Sequence, residues 1–158
     1  MNTSKLILVK FLLVCLVWIG FPGYTFAQLF KAGVAVRIIT PDPLLPVSGG
    51  VGQPKKTVEK KGDLFVRALV FEKGNTRVAI VNVDNLGWSS ALGERSRALI
   101  KEIPPENILI GATHTHSAPD TYAFPDGKGG HTGSLAYMQH VVEQVAASIN
   151  DALDRLRP

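Results

Sequence analysis

Hydrophobic and polar positions divide most of the chain into recognisable elements. Residues 31–39, Lys-Ala-Gly-Val-Ala-Val-Arg-Ile-Ile, alternate loosely and are rich in β-branched side chains, which predicts a strand that stops at Thr40-Pro41. From residue 42 to 62, Pro43, Pro46, Gly49, Gly50, Gly52, Pro54 and Gly62 describe a long loop, and loops of that length in compact domains are commonly functional. Residues 63–71 and 77–83 read as two further strands. The Gly74-Asn75 step between them is a hairpin signal. The second of these strands is apolar almost throughout, which predicts burial on both faces.

Ser89 or Ser90 can cap a helix in which Leu92, Leu99, Ile100 and Ile103 recur near helical spacing, and Pro104-Pro105 would stop it. Residues 107–112 then form a short apolar run that reads as a buried strand. Strand, helix and strand from 77 to 112 make a βαβ unit with parallel strands, so Asp84 and His114 should leave the sheet along the same rim. A glycine-rich loop from Asp120 to His131 follows, either closing over that rim or merely connecting. Leu135, Met138, Val141, Val142, Val145, Ile149, Ala152, Leu153 and Leu156 then mark one face of a long helix, capped by Thr132 or Ser134, that ends the chain. The predicted fold is α/β: a mixed sheet with a βαβ unit and a β-hairpin, packed against a long C-terminal helix.

The first 27 residues have a different character. Lys5 and Lys10 precede the apolar block 11–19, and Gly20, Pro22 and Gly23 lead to Thr25-Phe26-Ala27. That is the layout of a secretory signal cleaved after Ala27, so the expected mature chain is an exported domain of residues 28–158. The block stops short of the roughly 20 apolar residues of a spanning helix, and Val14 before Cys15 is too bulky for a lipid-attachment site. Removing the signal removes Cys15, the single cysteine, so any metal in the mature chain is held by nitrogen and oxygen. The formal charge of +4 over 158 residues loses Lys5 and Lys10 and becomes +2. With the remaining cations scattered apart from Lys55-Lys56 and Lys60-Lys61, no basic stripe for nucleic acid is present, and the lysines read as a solvated loop.

The chemistry centres on Thr113-His114-Thr115-His116, at the expected carboxyl end of a strand, where open α/β sheets place their ligands. In an extended segment, residues i and i+2 point the same way, so the two imidazoles can face one point. One can bind a metal while the other hydrogen-bonds a substrate, since a neutral imidazole carries one donor and one acceptor nitrogen. Asp84 is a further candidate for this site by chain order alone, or else simply caps the turn it begins. A metallo-β-lactamase pattern would need an acidic residue at Ala118, and the strand–helix alternation is too short for an amidohydrolase barrel. Ser117 has no Gly-x-Ser-x-Gly elbow around it and reads as a capping or ligand-contact residue. His131 is read as an exposed loop residue or mobile ligand, and His140 as a partly buried helix residue. Gly49-Gly50 and Gly129-Gly130 follow no phosphate-binding pattern.

The block Gly111-Ala112-Thr113-His114-Thr115-His116-Ser117-Ala118-Pro119, preceded by Pro104-Pro105-Glu106-Asn107, resembles the amino-terminal part of the neutral/alkaline non-lysosomal ceramidases. Lys31-Ala32-Gly33-Val34-Ala35, Ile39-Thr40-Pro41, Arg67-Ala68 and the strand ending at Asp84 fit the same pattern. The resemblance implies a Zn2+-dependent amidase acting on the N-acyl bond of ceramide or a related lipid amide. His114 matches a zinc ligand, and His116 matches a residue beside the scissile amide. It also implies that residues 28–158 are part of a larger catalytic domain, whose other ligands, a histidine, a glutamate and a tyrosine, have no match in this sequence and come from a longer or partner chain. Ala118 stands where the family usually has glycine, and a left-handed backbone there would cost alanine about 1–2 kcal/mol. Beside this reading stand a non-catalytic metal- or ligand-binding module and a different metal-dependent hydrolase using His114, His116 and Asp84.

Overall fold

The computed structural model describes residues 28–48 and 54–158. The expected signal segment, 1–27, lies outside them. Four strands form one sheet in the order β1-β2-β3-β4: β1 is Phe30–Ile38, β2 Phe65–Lys73, β3 Thr76–Val83 and β4 Ile108–Ala112. β1 and β2 are antiparallel, as are β2 and β3, which join through the two-residue turn Gly74-Asn75. β3 and β4 are parallel and enclose helix α1, Ser90–Ala98. The predicted mixed sheet, hairpin and βαβ unit are therefore all present. Helix α2, Leu135–Leu153, packs across β1 and β2 and against α1.

Cross-sheet rows explain how α2 sits so close. Ala35, Ala68, Val81 and Ile110 are mutual neighbours from β1 to β4 on the covered face, and the first three are buried. Two alanines at the centre leave room for Val141, Val145, Ile149 and Ala152 of α2, all fully buried. Gly33 allows the closest approach: a Cβ there would lie 2.0 Å from the Ala152 carbonyl oxygen. After α2 the chain turns back, and Arg157 pairs with Ala32 through N–H···O bonds of 2.8 and 3.0 Å, tying the tail to β1. The long helix is thus predicted correctly, but it stops at Leu153 rather than running to the chain end. Ser134 caps it, its Oγ accepting the Tyr137 N–H, and Leu135 is exposed.

The opposite row, Val34, Leu69, Ile80 and Leu109, lies on a face that no described residue covers. Val34 and Ile38 are each 56% exposed, Ile80 43% and Leu109 63%. The expectations that β3 is buried on both faces and that β4 is a buried strand are corrected here. α2 covers one side of the sheet, and β4 is an edge strand with Ile108 as its one buried residue. An apolar run does not distinguish burial on two faces from an apolar face left open.

Helix α1 is also shorter than its periodicity suggests. Ser89 caps it, its Oγ accepting the Leu92 N–H, and it ends at Ala98. Leu99 is half exposed, while Ile100 and Ile103 enter the core from irregular chain. Their spacing mimics a helical stripe because the chain turns back onto the same core. Among the described residues no helix is long and apolar enough to cross a membrane.

Candidate functional site

The parallel register sets Val83 beside Ala112, and the Thr113 N–H extends the ladder by one bond, 3.0 Å to the Val83 carbonyl. One residue later the chain breaks. His114 has φ 61°, the left-handed region that side chains with a Cβ rarely occupy, although histidine tolerates it better than most. The break turns the His114 ring back toward the loop that follows β3. Its Nδ1 lies 2.7 Å from the Leu86 carbonyl oxygen. A carbonyl only accepts, so Nδ1 carries the proton, which in the neutral imidazole leaves the lone pair on Nε2.

His114 and His116 do converge. Their ring centroids are 5.1 Å apart with an interplanar angle of 84°, an edge-on contact, and both side chains are exposed at the rim. The route differs from the strand alternation expected from sequence. The pair lies beyond the end of β4, and the left-handed residue rather than an extended run brings the rings together. The Ser117 N–H donates to Thr115 Oγ1 at 3.3 Å, a local turn that leads into buried Ala118 and Pro119. Among the described residues the non-glycine positions at positive φ are His114 and Ala123, so Ala118 carries none of the anticipated backbone penalty. Its carbonyl accepts the Ser48 N–H at 2.8 Å and pins the histidine loop to the long loop after β1.

Asp84 follows β3 on the expected rim but is engaged elsewhere. Its Oδ2 accepts the Phe65 N–H at 2.9 Å and Arg67 Nη1 at 2.9 Å, while its own N–H donates to the Phe65 carbonyl at 2.9 Å. Those bonds close the end of the β2–β3 ladder. Arg67 lies 4.7 Å from the centroid of the Phe65 ring. Among the described residues no group of three histidine, cysteine, aspartate or glutamate side chains comes together to hold a metal. His114, His116 and Asp84 thus do not form such a set. His131 sits opposite Pro125 in the glycine-rich loop, and His140 is exposed on α2 rather than partly buried.

The loop after β3 is the platform of the site, which sequence reasoning passed over. The Leu86 carbonyl holds His114, and the Gly87 carbonyl accepts Thr121 Oγ1 at 2.7 Å. Gly87 lets the Tyr122 ring lie against the backbone: a Cβ there would lie 1.9 Å from the Tyr122 hydroxyl oxygen, and the half-exposed ring would have to swing away. Asn85 is fully buried, its Oδ1 accepting the Tyr137 hydroxyl at 3.3 Å. Burial pushes the Tyr137 phenol well above its ordinary range, and the negative charge of Asp84 adds to the effect. Asn85 Nδ2 and Trp88 Nε1 are buried donors without a hydrogen-bond partner among the described residues.

Asp120 is the second unforeseen organiser. Buried at 2% exposure, it accepts the N–H groups of Tyr122, Ala123 and Phe124 and the Thr132 hydroxyl, the last at 2.6 Å. Those bonds fold both ends of the glycine-rich loop together. The Asp-Thr-Tyr sequence, an aspartate ahead of a run of free N–H groups, is the signal that could have found it.

Solved structures share this fold. A ceramidase complexed with C2 superposes with a TM-score of 0.65 at 23% identity, covering 83% of this chain and 22% of that one. The chain has a ceramidase-like fold. The neutral ceramidase from Pseudomonas aeruginosa superposes with a TM-score of 0.61, also at 23% identity and with the same coverage. This chain therefore spans about a fifth of the length of the ceramidases it matches. No protein-family model matches the chain, and no curated sequence matches it significantly. The ceramidase-like likeness is thus one of fold.

Proposed function

We propose that this chain supplies the two-histidine wall of a zinc-dependent hydrolase that cleaves the N-acyl amide bond of ceramide or a related lipid amide. The observation that carries the reading is His114. A strained backbone and a carbonyl bond on Nδ1 leave Nε2 as the free imidazole acceptor at the rim, the usual way a metal-ligating histidine is held. On this reading Zn2+ would meet His114 with a second imidazole beside it, and since no group of three ligands comes together among the described residues the remaining ligands would come from outside them.

When bound, the metal supplies a polarised carbonyl and a water acidic enough to ionise near neutral pH. The chain's own residues do the rest. Leu86 fixes the tautomer and ring plane of His114, and the left-handed turn sets His116 edge-on to that ring. His116, exposed at the rim, donates a hydrogen bond to the amide oxygen or carries a proton between the amide nitrogen and solvent. Residues 28–158 act here as the exported amino-terminal part of that catalytic domain.

Zinc uptake by the purified chain, measured by equilibrium dialysis and mass spectrometry, tests the reading. Wild type and Asp84→Ala should bind zinc only weakly, at millimolar supply, as one or two imidazoles do without the remaining ligands, and His114→Ala should lose that binding. A wild type that holds none ends the proposal of catalysis by this chain. Zinc uptake without cleavage of a fluorescent short-chain ceramide leaves a metal-binding module.

A further inference from the structure

The loop after β3 carries the carbonyl that orients His114, and its anchor to the helix layer is a buried amide. Asn85 is fully buried where that loop meets α2, its Oδ1 accepting the Tyr137 hydroxyl at 3.3 Å. Tyr137 is itself buried, in the first turn of α2. Burial raises its phenol, so the hydroxyl stays protonated and donates. The backbone of Asn85 enters the same junction. Its N–H donates to the Val83 carbonyl at 2.8 Å, and that carbonyl also accepts the Thr113 N–H at 3.0 Å. One oxygen thus ties Asn85 to the residue before His114, while the next carbonyl along the loop, that of Leu86, lies 2.7 Å from His114 Nδ1.

Stability alone does not account for an amide at this position. Asn85 Nδ2 is buried without a hydrogen-bond partner among the described residues, which is unfavourable, and leucine of similar size would leave no donor unpaired. An apolar side chain would also make no directional bond. The neighbours on either side are already held, Asp84 by Phe65 and the Gly87 carbonyl by Thr121. The Asn85 amide adds the tie to α2, and with it a fixed direction for the peptide that follows.

We infer that Asn85 is a positioning residue: its amide, held by the Tyr137 hydroxyl, aims the Leu86 carbonyl and so selects the Nδ1-protonated tautomer of His114. The consequence for catalysis rests on the proposed role of His114 as a zinc ligand. The tautomer does not, because it is set in the metal-free chain.

Nitrogen-15 imidazole spectra of the purified metal-free chain, at about pH 8 and so above the ordinary histidine range, test it. Asn85→Leu should raise the Nε2-protonated share of His114 relative to the Nδ1-protonated one about fivefold, the change that follows from losing one neutral hydrogen bond. Tyr137→Phe removes only the hydroxyl and keeps the ring in the core. It should shift the ratio the same way, and the double variant should go no further than Asn85→Leu alone. Ser148→Ala removes another fully buried hydroxyl of α2, bonded to the Val145 carbonyl at 2.8 Å, and should leave the ratio at its wild-type value whatever stability it loses. A wild-type ratio in Tyr137→Phe, or an equal shift in Ser148→Ala, overturns the proposal. Failure of the wild type to take up zinc ends the ligand role of His114 and leaves these ratios as the test of Asn85.

Discussion

The left-handed backbone at His114 makes a prediction about stability that is independent of any activity. At φ 61°, a residue with a Cβ is held about 1–2 kcal/mol above glycine. Glycine's greater freedom in the unfolded chain offsets roughly 0.4–1 kcal/mol of that relief. Both His114→Ala and His114→Gly lose the bond to the Leu86 carbonyl, worth about 1 kcal/mol. His114→Ala keeps the strain and should be about 1 kcal/mol less stable than wild type. His114→Gly should be more stable than His114→Ala by about 0.5–1 kcal/mol, and close to wild type. Urea unfolding followed by circular dichroism resolves the difference as a midpoint shift of roughly 0.5 M at the slopes usual for small domains. The sign is the decisive feature. Were residue 114 in an ordinary extended or helical conformation, alanine would be the more stable variant, so His114→Ala above His114→Gly refutes the geometry.

Four further substitutions probe other parts of the structure. Asp84→Ala should lower stability by about 1–3 kcal/mol, because it strands the Phe65 N–H and releases Arg67; thermal unfolding reads the loss. Ile80→Glu, on the open face, should change stability by less than about 1 kcal/mol, whereas Val81→Glu places a charge at a 2% exposed position and should unfold the domain; soluble yield and denaturation curves separate the two. Lys31 and Arg77, each 2.8 Å from Glu72, hold its carboxyl below the usual glutamate range. A carboxyl with a depressed folded pKa contributes stability above its unfolded pKa and loses it as pH falls through the folded value. The urea midpoint should therefore drop as pH goes below the ordinary carboxylate range, and the drop should be shallower in Glu72→Gln.

The fold was largely legible because its signals are local. Alternation from Lys31 to Ile38, the Gly74-Asn75 turn and the stripe from Met138 to Leu153 each specify an element without reference to distant chain. Burial was less legible, since Ile80 and Leu109 look like core residues in sequence and lie on an open face in space.

At the site, His114 and His116 were identifiable from their place after a strand, but the device that joins them was not. A positive φ at a histidine leaves no mark in composition or periodicity. The Leu86 carbonyl was equally hidden, because backbone acceptors carry no sequence identity. Asp84 was placed on the correct rim by topology alone. Its commitment to Phe65 and Arg67 depends on the β2–β3 register, which becomes visible only when the strands are paired.

The central claim is that His114 presents Nε2 as a metal ligand with Nδ1 locked to a backbone carbonyl. Nitrogen-15 NMR of the imidazoles, recorded with and without Zn2+, tests it most directly. The account predicts that His114 is the Nδ1-protonated tautomer before metal is added, and that zinc perturbs its Nε2 resonance first among the described histidines. An Nε2-protonated His114, or a zinc response at His131 or His140 with His114 unmoved, would contradict it.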